Sequence, residues 1–377
     1  MRIYLSPPEV SEADIDAVSA AMRSGWVAPA GPDLRDFEDK VADLSDRRFA
    51  VALSSGTAAL HLALKAAGVG PGDLVIVPTL SFAAPAFAVR YCGAEPFWVD
   101  VDPGNWQLNP TLLQSAIVTL QQQGRRIGAV IGVDLYGQCG DWDRVTQICE
   151  TAGVPFIEDA AEALGASLCL ADNATPPAGS WGQSGVFSFN GNKILTTSGG
   201  GVWVGDDEGL ANKIRKWASQ SREPVVHYEH QELGYNYRLS NLLAALGVSQ
   251  LKVLAERIAK RRAILECYRR ALEPLPGFSF MPIPSSSRPN YWLSCLQVDK
   301  VAAGISAQEI QEKLYEDGIE CRPLWKPLHM QPIFAGTQGE LSGTADALYA
   351  MGLCLPSGSG LRSEEQSEVI ERILSMT

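Results

Sequence analysis

Between Ala50 and Ile157 the chain alternates short apolar runs with amphipathic stretches, and no other feature narrows its fold as much. The runs Ala50–Leu53, Leu74–Val77, Pro96–Val101, Ile127–Val133 and Val154–Ile157 are nearly free of polar side chains, as strands covered on both faces are. The intervening segments predict helices: one entered directly from Ser54-Ser55-Gly56-Thr57, then Phe82–Cys92, Leu112–Leu120 and Trp142–Ala152. Repeated strand–helix–strand units predict a mostly parallel sheet with helices on both faces, the α/β class.

Two helices precede this block. Ser11 with Asp14 marks the start of the first, whose face is Ile15, Val18 and Met22. Leu34, Phe37, Val41 and Leu44 mark the second, beyond an irregular loop at Trp26–Pro32. After Ser240 the character changes. One long helix is expected over Leu242, Leu246, Leu251, Leu254 and Ile258, running on through the basic stretch Lys260–Arg262 with a solvated charged face. Strands at Tyr291–Val298 and Gly318–Cys321, a capped helix from Ser306 with Glu309, and a last helix from Ser363 complete the chain. The expected organisation is a large α/β/α domain over 1–245 and a smaller α+β domain over 246–377.

A formal charge of -12 over 377 residues argues against a protein that grips nucleic-acid backbone. It leaves phosphate-bearing small molecules open, because a helix N-terminus binds phosphate inside an acidic protein. The start, Met1 to Pro8, has no apolar core of a signal peptide, and no segment has the length of a membrane span. The eight cysteines stand singly, without a paired motif, which suits free thiols in a reducing cytoplasm and predicts no metal site.

Chemistry concentrates in Ser184–Gly201. Val186, Phe187 and Phe189 predict one buried strand, and Val202-Trp203-Val204, entered through three glycines, predicts another. Lys193 lies in the loop between them. A lone lysine on a hairpin is ordinarily a surface residue, but an amine turned inward must be paired or used covalently. Three further places bear on it. Ser55-Gly56-Thr57-Ala58 opens a helix directly after a strand, so unpaired backbone N–H groups converge on one spot. Asp159 ends an apolar strand at the edge where open α/β sheets bind ligands. Phe82 follows another strand and offers a flat face. A lysine for a Schiff base, a carboxylate for a pyridinium nitrogen, an aromatic for the ring and a phosphate cup are what pyridoxal phosphate requires.

From Leu5-Ser6-Pro7-Pro8 to Cys354-Leu355-Pro356-Ser357-Gly358 the sequence resembles the DegT/DnrJ/EryC1/StrS sugar aminotransferases on the fold-type-I aminotransferase scaffold. The most specific pieces are Ile157-Glu158-Asp159-Ala160-Ala161-Glu162-Ala163-Leu164-Gly165, Phe187-Ser188-Phe189-Asn190-Gly191-Asn192-Lys193 and Gly234-Tyr235-Asn236-Tyr237-Arg238. The resemblance implies that Lys193 carries the cofactor, Asp159 faces its ring nitrogen and Phe82 covers its ring. It implies that Gly56, Thr57 or Ala58, and Ser188 hold the phosphate. It also implies that Asn236 reaches the phosphate of a neighbouring subunit, making a homodimer with shared sites the active unit. Many relatives have Gln or His where this chain has Glu162, near the ring's phenolic oxygen, which leaves the role of Glu162 open.

The activity implied is transfer of an amino group from L-glutamate to C4 of a nucleotide-linked 4-keto-6-deoxy sugar, in the cytoplasm. The branch most resembled aminates UDP-linked 2-acetamido-2,6-dideoxy-4-keto-hexoses; the GDP-linked ketone that leads to perosamine is the alternative. Expected substrate contacts are Trp26, Val27 and Ala28 near the start and Arg322, Lys326 and His329 near the end. A pyridoxal phosphate-binding regulator would need a basic DNA-binding segment, which this acidic chain lacks. An enzyme of free amino acids, such as a lyase or desulfurase, would differ in having a pocket for an α-carboxylate.

Overall fold

The computed structural model describes residues 1–377. Its main sheet contains β1 (Phe49–Leu53), β2 (Leu74–Pro78), β3 (Glu95–Val99), β4 (Ile127–Val133), β5 (Phe156–Asp159), β6 (Ser184–Ser188) and β7 (Gly201–Gly205). They lie in the order β1-β7-β6-β5-β4-β2-β3, and Gly339–Glu340 from late in the chain adds an eighth strand beside β3. Only β7 runs against its neighbours β1 and β6. The C-terminal ends of β1, β5 and β6 therefore open on one edge.

Helices cover both faces, as two-sided burial of the strands requires. Three of them are α1 (Glu12–Ser24), α2 (Pro32–Leu44) and α3 (Gly56–Ala66). Both expected capping boxes form, Ser11 with Asp14 and Ser306 with Glu309. Each satisfies two backbone donors that the helix itself cannot. Trp203 and Trp142 are buried in separate apolar clusters, with their indole N–H groups donating to Ser184 and Asp134 respectively.

The expected single long helix is two. Asn241–Leu251 ends where Lys252 and Val253 donate to Ser249 and Gln250, the tightened bonds of a terminating turn, and Leu254–Leu272 starts afresh. Residue 245 lies inside the first of these helices, which packs on α1 and α2. The basic stretch is also not uniformly solvated. Lys260 and Arg262 pair with Glu256 and Glu266 outside, whereas Arg261 is 2% exposed and turned inward. Beyond it, Phe278–Phe280, Ser294–Val298, Arg322–Pro323 and Gly352–Leu355 form a separate antiparallel sheet. All eight cysteines are free.

Candidate active site

The edge shared by β1, β5 and β6 borders a cavity of about 340 Å³ that brings together Ser55, Gly56, Thr57, Phe82, Asp159, Glu162, Ser188 and Lys193. Each gets there by a local device. Ser55 is the N-cap of α3 and its Oγ accepts the Ala58 N–H at 3.0 Å. Ala58 is thereby spent on the cap and does not line the cavity, so the amides free for an anion are those of Gly56 and Thr57. Gly201, the last of the three glycines, runs so close to this turn that a Cβ there would lie 2.3 Å from the Ser55 carbonyl carbon. The glycine lets β7 pair against β1 beneath the Ser55–Gly56 turn.

Asp159 ends β5 between Val133 of β4 and Val186 of β6. One oxygen accepts the Ala161 N–H at 3.1 Å. Burial holds the carboxyl up to about 7, opposed by that backbone bond, raised further by Glu162 and lowered by Lys193. A cationic ring nitrogen beside it would reverse the cost and hold it ionised. Behind it, Glu158 points to the other face, where burial pushes it to about 7 and two backbone amides, those of Gly179 and Trp181, oppose. It sits with Asp134, whose carboxyl burial also raises.

Lys193 is turned inward, its side chain 12% exposed. Nζ donates to Glu162 Oε1 at 3.3 Å and stands 4.0 Å from the centre of the Trp292 ring. Trp292 was not singled out in the sequence. Its indole N–H donates to Asn192 O at 2.8 Å, and its own carbonyl accepts from the buried Arg261 at 2.5 Å. Arg261 thus has a task that a solvated cation would not, and burial lowers its guanidinium to about 9. Trp325, which also lines the cavity, meets Phe82 edge-on at 5.5 Å. No periodicity marks either tryptophan; both come from segments remote from Lys193.

A second cavity, about 850 Å³, adjoins the first and shares Asn192, Trp292 and Trp325 with it. Arg322 and Lys326 line it. Arg322 pairs with Glu320 at 2.8 Å, while Lys326 has no ion-pair partner. His329 departs from expectation: its ring nitrogens engage Thr79 Oγ1 at 2.7 Å and Asp346 at 2.9 Å, and it lines neither cavity. Trp26, Val27 and Ala28 also line neither cavity of their own chain. They are held by Asn241, whose amide donates to Trp26 O at 2.9 Å and whose backbone N–H donates to Ala28 O. Asn236 lies with Pro29, Arg222 and Arg238 along a shallow surface depression, not in the Lys193 cavity.

The residues present fit the cofactor by more than type. Ser81 Oγ, in the wall of the cavity, is buried without a hydrogen-bond partner, and Asp159 is a carboxylate whose ionisation awaits a cation. The sequence profile of the DegT/DnrJ/EryC1/StrS aminotransferase family matches residues 8–374. The chain belongs to that family. It is 44% identical to EpsN of Bacillus subtilis (strain 168), named as a pyridoxal phosphate-dependent aminotransferase, over all of this chain and 96% of that one. It is 35% identical to the GDP-perosamine synthase of Caulobacter vibrioides, over 98% of this chain and 96% of that protein. The fold superposes on DesI, solved in the presence of its TDP-sugar product, with a TM-score of 0.88 at 29% identity, covering 98% and 92% of the two chains. The protein is a pyridoxal phosphate-dependent sugar aminotransferase of the α/β, fold-type-I architecture. Bound, the cofactor supplies the electron sink for moving an amino group between carbons.

Proposed function

We propose that the enzyme transfers an amino group from L-glutamate to C4 of a UDP-linked 2-acetamido-2,6-dideoxy-4-keto-hexose. The observation that carries this reading is the pair of joined cavities. One holds the amine, the carboxylate and the Gly56–Thr57 turn; the other, about 850 Å³, shares Trp325 with it and is lined by Arg322 and Lys326, which supports a substrate with a distal charged group. In this reading Lys193 binds the cofactor and, once released, moves the proton between the reacting carbons. Asp159 holds the ring nitrogen protonated, Phe82 covers the ring, and Gly56, Thr57 and Ser188 hold the phosphate. Glu162 orients Lys193 Nζ, to which it is already bonded. Arg322 and Lys326 take the diphosphate through charge-assisted bonds.

The active unit in this reading is a cytoplasmic homodimer. Asn236 and the Trp26–Ala28 loop lie outside the cavities of their own chain, and Asn236 shares one depression with the neighbouring Pro29, as residues given to a partner's site would. Mixing Lys193→Ala chains with Asn236→Ala chains should restore part of the lost activity, because one site of the mixed dimer keeps both residues. Heterodimers that form without rescue would remove Asn236 from the partner's site.

Similarity to GDP-perosamine synthase supports a second reading, with GDP-4-keto-6-deoxymannose as acceptor. A direct comparison of specificity constants decides between them. A value for the GDP-linked ketone equal to or above that for the UDP-acetamido ketone would replace the first reading with the second.

A further inference from the structure

At the C-terminal end of β4 the chain turns through Asp134–Gly137, and Tyr136 there has φ 56 and ψ 22. A bulky residue in the left-handed region is strained and persists only where its surroundings over-determine it. They do so here. Leu135 N–H donates to Gln107 Oε1 at 2.9 Å, Gln107 Nε2 donates back to Leu135 O at 3.2 Å, and Asn290 N–H donates to Gly137 O at 2.9 Å. Gly137, at φ 90, could carry no side chain, since a Cβ would meet Asn290 Oδ1 at 1.9 Å.

Two contacts result from this one strained residue. Its N–H donates to Glu162 Oε2 at 2.7 Å, the carboxylate whose other oxygen accepts from Lys193. Its hydroxyl accepts the Trp325 backbone N–H at 2.8 Å, and the two rings lie 6.0 Å apart at 22°. Trp325 borders both cavities. An extended backbone at residue 136 would turn the N–H away from Glu162 and carry the ring off Trp325 together.

We infer that Tyr136 is a positioning residue that ties the Glu162–Lys193 pair to Trp325, the wall between the cofactor cavity and the second cavity. It rests on the reading that a sugar substrate passes Trp325, and it assigns the sugar half of the reaction, not the glutamate half, as the step most dependent on that tie.

Tyr136→Phe tests it, because it keeps the ring and backbone and deletes only the hydroxyl. In the cofactor-free protein, hydrogen exchange at the Trp325 amide should accelerate about tenfold or more while amides of β4 keep their protection. In the loaded enzyme the glutamate half-reaction should stay within about twofold, and KM for the keto sugar should rise about tenfold with kcat largely kept. Trp325→Phe, which retains the backbone bond but shrinks the wall, should raise the same KM without the change in exchange. Unchanged exchange in Tyr136→Phe, an equal loss in both half-reactions, or an unaltered sugar KM in Trp325→Phe would overturn the inference. If exchange accelerates but the unsubstituted enzyme aminates no sugar nucleotide, the substrate reading fails while the Tyr136–Trp325 bond stands demonstrated.

Discussion

The floor and the outer wall of the site are built on opposite terms. On the floor, Glu162 and Asp159 are buried, Lys193 is half-buried with its side chain turned inward, and each is already hydrogen-bonded within the chain. On the wall, the Arg322 side chain is 61% exposed and holds only Glu320, Lys326 is unpaired, and Phe82 is 54% exposed. Removing water makes charges interact strongly and makes unpaired ones costly, so the floor is committed to one arrangement before any ligand arrives. The wall keeps its donors hydrated and adaptable, where screening leaves them worth little until a ligand covers them. Under the proposed function, chemistry is thus fixed in the pre-bonded part, and choice of substrate is left to the part that can still be reshaped.

The sharpest way to break this contrast is at Lys193. Lys193→Ala should lower turnover by about 10³-fold or more, since the proposed covalent link and the proposed proton carrier are lost together. Borohydride reduction of the intact protein should fix the cofactor to Lys193, and a labelled peptide containing any other lysine would end that assignment.

Next in size is Asp159→Asn, expected to cost roughly 10²-fold or more in turnover once the ring nitrogen loses its carboxylate. Its effect on stability has the opposite sign. Burial raises Asp159 from an ordinary 3.8 to about 7. The folded, cofactor-free protein therefore binds an extra proton between these values, and this group's contribution is full below about pH 4 and lost as pH rises through 7. Asn, which never ionises, should make the cofactor-free protein more stable than the unsubstituted one at pH 8, by about 1–4 kcal/mol, with the advantage vanishing towards pH 4. Denaturant melts at the two pH values measure it; equal differences at both would show that Asp159 ionises in the folded state without cost.

On the wall, Lys326→Ala should raise KM for the sugar nucleotide about tenfold and leave kcat within about threefold, as loss of uniform binding does. The same change seen in kcat would place Lys326 in the chemistry and blur the distinction between the two regions. His329→Ala should have the smallest effect on catalysis, because its ring is occupied by Thr79 and Asp346. We expect a loss of about 1 kcal/mol in stability and a sugar KM within about twofold. A KM effect matching that of Lys326 would return His329 to the substrate path.

What the sequence determined by itself is what depends on neighbours a few residues away. Burial of the strands on both faces shows in their apolar runs, and the helix starts at Ser11 and Ser306 show in the spacing of the acidic residues that close their caps. Lys193, Asp159 and the Ser55-Gly56-Thr57 turn sit in contiguous motifs, so they too could be picked out from the order of residues as candidates, and the structure brings them to one cavity. The tertiary structure decided the rest, because the partners are far apart in the chain. Lys193 meets Glu162 across 31 positions, Trp292 reaches Asn192 across 100, and Tyr136 accepts from Trp325 across 189. The burial of Arg261, in a stretch that reads as a charged solvent face, depends on where the Trp292 carbonyl arrives, and the helix break at Val253 carries no proline or glycine to announce it. A residue's chemistry and its local geometry are written in the sequence; the desolvation that makes a lysine, an arginine or a strained tyrosine useful exists only once the distant walls have closed around it.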